Sequence, residues 1–162
     1  MIPNLAYEKV TTFIQMNREE AQKLFDCAVK VPKDGVIVEI GTFKGGSAII
    51  MAEATEAIVY KIDIENQATE NIKDYSNIKF IQGDSEEVSK TWDKEIDMIF
   101  IDGSHFYADV RRDITNWLPK LKERGIVCFH DYGSHVDVTT AVNEALIQRI
   151  GMPNNSLLTI IK

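Results

Sequence analysis

Six short apolar runs divide this chain, and most of them stop at a polar cluster. They are Val36–Ile40, Ile58–Asp63, Ile78–Ile81, Ile96–Ile101, Gly125–Phe129 and Leu157–Ile161. Runs of this length, rich in β-branched residues and almost unbroken by charge, read as strands buried on both faces. Between them lie stretches with helical spacing. Asn17 followed by Glu20 reads as an N-cap with its capping-box partner, and Ala21, Leu24, Phe25 and Ala28 then share one face. Pro32–Gly35 ends that helix and turns the chain. Ser47–Glu56 continues the alternation, as does a helix with Val110, Ile114, Trp117, Leu118 and Leu121 on one side and a break near Pro119. Asp137 is placed to cap a last helix carrying Val138, Val142, Leu146 and Ile150, with Gly151 as its stop. Strand–helix alternation of this kind predicts an α/β fold, a mostly parallel sheet with right-handed crossovers and helices on both faces.

A chain of 162 residues with 44% hydrophobic residues is sized for one domain, 1–162, here opening with an N-terminal helical segment over 1–31. The formal net charge of -7 argues against non-specific nucleic-acid binding and against docking on an anionic membrane. The one basic run, Arg111, Arg112, Lys120, Lys122 and Arg124, is interrupted by Asp113 and Glu123 and reads as a solvated helix face. No apolar run approaches the ~20 residues of a membrane span. Met1–Val10 lacks the layout of a signal peptide. Cys27 and Cys128 sit in apolar contexts without metal-type spacing and read as buried thiols. The expected location is the cytoplasm, with a small-molecule substrate, no nucleic acid and no membrane as partners, and a homo-oligomer left open.

In a parallel sheet, ligands bind beyond the carboxyl ends of the strands. The polar clusters fall there: Gly41–Ser47, Asp63, Asp84, Asp102–His105 and His130–Asp131. Gly41–Gly46 is a strand-to-helix loop whose glycines let backbone approach a ligand, and the helix N-terminus behind it favours an anionic group. Asp63, 22 residues after Gly41, can accept both hydroxyls of a ribose. Asp84 with Glu87 suggests a short capped helix. Together these suit an adenosine-containing ligand. The glycine spacing does not match G-x-G-x-x-G, and no Gly-Lys-Ser/Thr follows it.

Val38-Glu-Ile-Gly-Thr-Phe-Lys-Gly-Gly-Ser47, Ile101-Asp-Gly-Ser-His105 and Val127-Cys-Phe-His-Asp-Tyr132 resemble the class I S-adenosylmethionine-dependent methyltransferases. The resemblance is greatest to the branch with macrocin-type sugar O-methyltransferases and catechol-type O-methyltransferases, and it runs over residues 17–162. It implies a three-layer, Rossmann-like sandwich binding S-adenosylmethionine. By that resemblance Glu39 and Gly41 shape the methionine pocket, Gly45 is a further cofactor-binding residue, and Ser47 with nearby N–H groups holds the carboxylate. Asp63 takes the ribose, and Asp84 with Ser85 lies along the adenine. The family usually ends in a sixth strand and an antiparallel hairpin. Gly151–Ser156 leaves little room for that sixth strand, so it is expected to be reduced or absent in a shortened C-terminal part.

The same resemblance implies O-methylation of a hydroxyl on a small molecule such as a sugar. In that branch a divalent cation binds the substrate oxygens. The matching positions are Asp102, His130 and Asp131. A histidine among them tilts such a site from Mg²⁺ toward Mn²⁺ or another ion, or means no metal, and both readings stay open. His105, three residues after Asp102, is the candidate base, with Asp102 beside it as the second catalytic residue. His135 is a further rim candidate by proximity alone. Tyr107, Tyr132 and Trp117 are candidate aromatic contacts, Trp117 fitting the core better. Two other readings remain: a non-catalytic module binding S-adenosylmethionine or a partner, and a nucleotide-dependent oxidoreductase.

Overall fold

The structure, a computed structural model, describes residues 2–148 and 157–160. The expected N-terminal helical segment is two helices, α1 (Asn4–Val10) and α2 (Arg18–Ala28). Asn17 caps α2 through the Glu19 and Glu20 N–H groups, and Glu20 closes the capping box on the Asn17 N–H at 2.7 Å. Six strands follow: β1 (Val36–Ile40), β2 (Ile58–Asp63), β3 (Ile78–Gln82), β4 (Ile96–Ile101), β5 (Leu121–Phe129) and β6 (Leu157–Ile160). The helices between them are α3 (Gly46–Ala54), α4 (Thr69–Ile72), α5 (Ser85–Thr91), α6 (Tyr107–Trp117) and α7 (Val136–Gln148). A single 3₁₀ turn at Leu118–Lys120 accommodates Pro119, where the break was expected.

All five strand pairings are parallel, in the order β3-β2-β1-β4-β5-β6. The order reverses between β1 and β4, which opens a crevice above their carboxyl ends. Side chains alternate between two cores. Ile37, Val59, Met98, Phe100 and Cys128 face α1–α4, whereas Val38, Ile40, Ile99, Val127 and Phe129 face α5–α7. Trp117 is buried in the second core, and Cys27 and Cys128 lie in the first.

Three expectations are corrected in detail, and the shortened sixth strand is found as expected. β5 begins at Leu121 rather than Gly125: Leu121 pairs with Ile96, Arg124 turns through a φ of 62°, and pairing resumes at Ile126–Met98. α3 starts one residue early and ends at Ala54 instead of Glu56. α7 starts at Val136, so Asp137 lies in its first turn, where its carboxylate accepts the Tyr107 N–H at 3.1 Å and ties α7 to α6. The sixth strand is present but reduced to four residues on β5. The Ile150 and Gly151 readings lie outside the described residues. No helix among the described residues is long and apolar enough to cross a membrane.

Candidate active site at the strand-order reversal

The loop after β1 is built around Glu39 and Gly41. Glu39 has no exposed surface, and its carboxylate accepts the Ser47 hydroxyl and, at 3.2 Å, the Thr42 hydroxyl. Burial pushes its pKa up to about 8, against the Ser47 bond and the Lys61 charge, which lower it. Gly41 has a φ of 79°, and a Cβ there would stand 2.2 Å from the Asp102 carbonyl oxygen. Only glycine lets β1 and β4 lie so close just where the crevice opens.

A cavity of about 450 Å³ fills that crevice. Its walls come from the ends of β1 to β4, with Gly41, Asp63, Gly83 and Asp102 among them, and from α6 through Asp109, Arg112 and Asp113. A smaller cavity of about 40 Å³ lies between Phe13–Met16 and the glycine loop. The two share Gln15, Gly41, Thr42, Phe43 and Asp102 as walls.

The structure therefore brings most of the expected residues together. Asp63 lines the large cavity, but its carboxylate also holds the loop: it accepts the Thr42 and Phe43 N–H groups at 2.8 and 3.0 Å, and the Glu65 N–H at 3.0 Å. Asp84 caps α5 through the Glu86 and Glu87 N–H groups and lines the cavity. Ser85 lines it too and donates its hydroxyl to Asp113. Ser47 faces the smaller cavity. Glu39 stands behind Thr42 and Ser47, outside the walls of either cavity. Gly45 also lines neither; its missing Cβ would press on Ile72 at 2.9 Å, so packing against α4 explains it.

Beyond β4 and β5, Asp102 and His105 line the cavity, while His130 and Asp131 form a second rank. His130 Nδ1 contacts Asp102 Oδ1 at 3.1 Å and Asp131 Oδ2 at 3.0 Å. Burial would lower the pKa of His130, but the Asp102 bond and both carboxylate charges outweigh it and raise it to about 9. Burial raises the Asp102 pKa despite His130. For Asp131, burial works upward but the neighbouring imidazoles and the Ser134 hydroxyl carry the shift downward. His105 Nε2 lies 2.9 Å from Asp131 Oδ2, so a histidine at the cavity is backed by a carboxylate. Tyr107 and Tyr132 point elsewhere, to Glu144 and Asn143.

Several site residues escaped the sequence reading. Asp113 is buried, and burial pushes its pKa up to about 6 although Ser85 and Arg112 pull it down. Its signal was available: 113 falls on the stripe of Val110, Ile114 and Trp117, all buried. The basic run is not one face. Arg112 pairs with Asp109 at 2.6 Å and Glu86 at 3.4 Å beside the cavity, and Lys122 pairs with Asp97 at 2.9 Å.

Comparison with known proteins gives a family and a fold. A family described as "Methyltransferase domain" matches residues 38–132. An uncharacterized protein, R132 of Acanthamoeba polyphaga mimivirus, is 28% identical over 134 residues, covering 68% of this chain; the chain spans 59% of that relative's length. The O-methyltransferase NovP superposes with a TM-score of 0.70 at 19% identity, over 81% of this chain and 72% of NovP. MycE, a methyltransferase of the mycinamycin biosynthetic pathway in complex with Mg and SAH, gives 0.65 at 18% identity, over 91% of this chain and 45% of MycE. A putative rRNA-methylase from Clostridium thermocellum gives 0.64 at 13% identity, over 83% and 84%.

Proposed function

The chain belongs to the methyltransferase domain family, and from that premise we propose that it transfers a methyl group from S-adenosylmethionine to a hydroxyl of a small molecule. The observation that carries this reading is one cavity lined both by Asp63 and by the Asp131-backed His105. At about 450 Å³ it matches the size of a cofactor pocket. When bound, S-adenosylmethionine supplies the electrophilic methyl group. Asp63 spends three of its roughly four acceptor sites on backbone N–H groups, which leaves one lone pair, on Oδ1, for a ribose hydroxyl. Asp84 and Ser85 border the adenine end, and Gly41 with Ser47 the methionine end. His105 would take the proton of the acceptor hydroxyl, and Asp131 would steady the resulting imidazolium. A divalent cation would be held by Asp102, Asp131 and His130 Nδ1, whose donor atoms converge within 4.8 Å, and would supply Lewis-acid activation. The net charge of -7 argues for a small molecule over a nucleic-acid acceptor.

Calorimetry tests the cofactor: S-adenosylhomocysteine should bind and NAD should not. Methyl transfer from labelled S-adenosylmethionine to a panel of hydroxylated metabolites tests the reaction. Cofactor binding with no transfer to any hydroxyl acceptor would leave a binding module.

A further inference from the structure

Asp131 has a further neighbour, His135, that the proton-transfer reading does not use. His135 Nε2 lies 3.9 Å from Asp131 Oδ1, while His105 Nε2 lies 2.9 Å from Oδ2. The two imidazole rings are 4.3 Å apart between centroids and tilted by 32°. One ligand atom from each of the three side chains falls within 4.8 Å of the others.

The turn after β5 builds this arrangement. Asp131 has a φ of 58°, a conformation that a residue other than glycine adopts at a cost, and Gly133 follows with 90°. The Asp131 carbonyl accepts the Ser134 and His135 N–H groups at 3.2 and 3.0 Å, closing one turn. Thr139 pins that turn from α7, accepting the Gly133 N–H and donating to the His135 carbonyl, each at 2.8 Å. The chain is thereby folded back so that a histidine four residues beyond Asp131 meets one from the end of β4. Both imidazoles are about half exposed, with 45% and 47% of their surface open, so an ion can reach them.

We propose that His105, Asp131 and His135 form a binding site for a transition-metal ion of the Zn²⁺ or Co²⁺ class at the mouth of the cavity. Two neutral imidazoles and one carboxylate suit such ions, whereas Mg²⁺ prefers an all-oxygen shell. Three protein ligands leave coordination positions open to water or an acceptor. The site differs from the Asp102–His130–Asp131 set in both histidines. It does not rest on the methyl-transfer reading, because the metal alone is the ligand. The two readings do meet at one atom: a metal on His105 Nε2 takes the nitrogen that now contacts Asp131, so a loaded site and the histidine–carboxylate base exclude one another.

The test is titration of metal-stripped protein with Co²⁺, followed by its visible d–d absorption and by displacement with Zn²⁺. The expected result is one equivalent bound, no competition from Mg²⁺ at equal concentration, and at least tenfold weaker binding in His135→Ala and in His105→Ala. Asp102→Asn should bind Co²⁺ as the unaltered chain does. Circular dichroism checks each variant, and because both histidines are half exposed, either one suffices. Failure to bind Co²⁺ at millimolar concentration overturns the proposal. So does binding that survives His135→Ala and is lost in Asp102→Asn, which would put the ion on the His130 side.

Discussion

Glu39 and Lys61 face each other across β1 and β2 as registered cross-strand partners, and neither side chain has any exposed surface. Burial raises the carboxyl and lowers the ammonium, while each pulls the other back toward its charged form. The two ends are not equally provided for. Glu39 has two hydroxyl donors, whereas Lys61 Nζ has no hydrogen-bond partner among the described residues and sits 4.4 Å from the Phe80 ring centroid.

The pair should therefore respond unevenly to substitution. Lys61→Met keeps the packing volume and removes an ammonium without a hydrogen-bond acceptor, so stability should change by less than about 1 kcal/mol or rise. Glu39→Ala strips the Ser47 and Thr42 hydroxyls of their acceptor and leaves Lys61 alone, a loss of about 2–4 kcal/mol. Urea unfolding of both variants measures the difference. Equal destabilisation by the two would refute the asymmetry.

Asp113 makes a prediction about pH. Its carboxyl is pushed up from an ordinary 3.8 to about 6 in the folded chain, so the folded state holds the proton more tightly than the unfolded one. The stabilising contribution of that proton is complete below pH 3.8 and is lost as pH rises to about 6, a change of about 2–3 kcal/mol. Asp113→Asn can still accept the Ser85 hydroxyl but carries no charge. It should be more stable than the unaltered chain at about pH 7.5, and the gain should shrink toward zero near pH 4. Parallel unfolding midpoints of the two proteins across that range would exclude a raised Asp113.

Much of this was legible in the sequence, because a parallel sheet buried on both faces leaves long apolar runs and sends its polar residues to the strand ends. By that rule Asp63, Asp84, Asp102 and His105 fall at strand ends, and in the structure they line one crevice. What it could not show depends on backbone turns and on contacts between distant elements. Lys122 and Arg124 read as part of a solvated helix face, yet they lie inside β5, where Arg124 takes a left-handed turn between two paired stretches. Asp113 reads as one charge in a run with Arg111 and Arg112, although it is buried with Val110, Ile114 and Trp117. His135 reaches His105 only through the turn at Asp131 and Gly133. Glycine spacing suggested a ligand role for Gly45, whereas packing against Ala68 and Ile72 is enough to require it.

Asp63 has two tasks, and they can be separated. Asp63→Ala removes the ribose acceptor and also frees the Thr42 and Phe43 N–H groups. S-adenosylhomocysteine affinity should fall by about 1.5–3 kcal/mol, the worth of hydrogen bonds to a charged group. Asp63→Asn keeps one carbonyl oxygen for the loop and should lose less. Calorimetry on folded variants reads both, and undiminished affinity in Asp63→Ala would remove Asp63 from the cofactor site.

His105 is the most exposed to disproof, because its role as base and its role as metal ligand make different demands on one side chain. As the base, it stands at the cavity wall with Asp131 2.9 Å behind it, so the proton it accepts leaves a charge that Asp131 offsets. His105→Ala should then lower kcat by ~10²–10⁴, the usual contribution of general acid–base catalysis. Affinity for S-adenosylhomocysteine should barely change, since Asp63, Asp84 and the glycine loop lie at the other strand ends. Asp131→Asn keeps the imidazole in place but removes the offsetting charge, so kcat should fall by less than in His105→Ala. The assay belongs in metal-stripped buffer, where ligation cannot compete for Nε2. Near-normal kcat for His105→Ala under those conditions would assign deprotonation of the acceptor to another group, with Asp102 a carboxylate lining the same cavity.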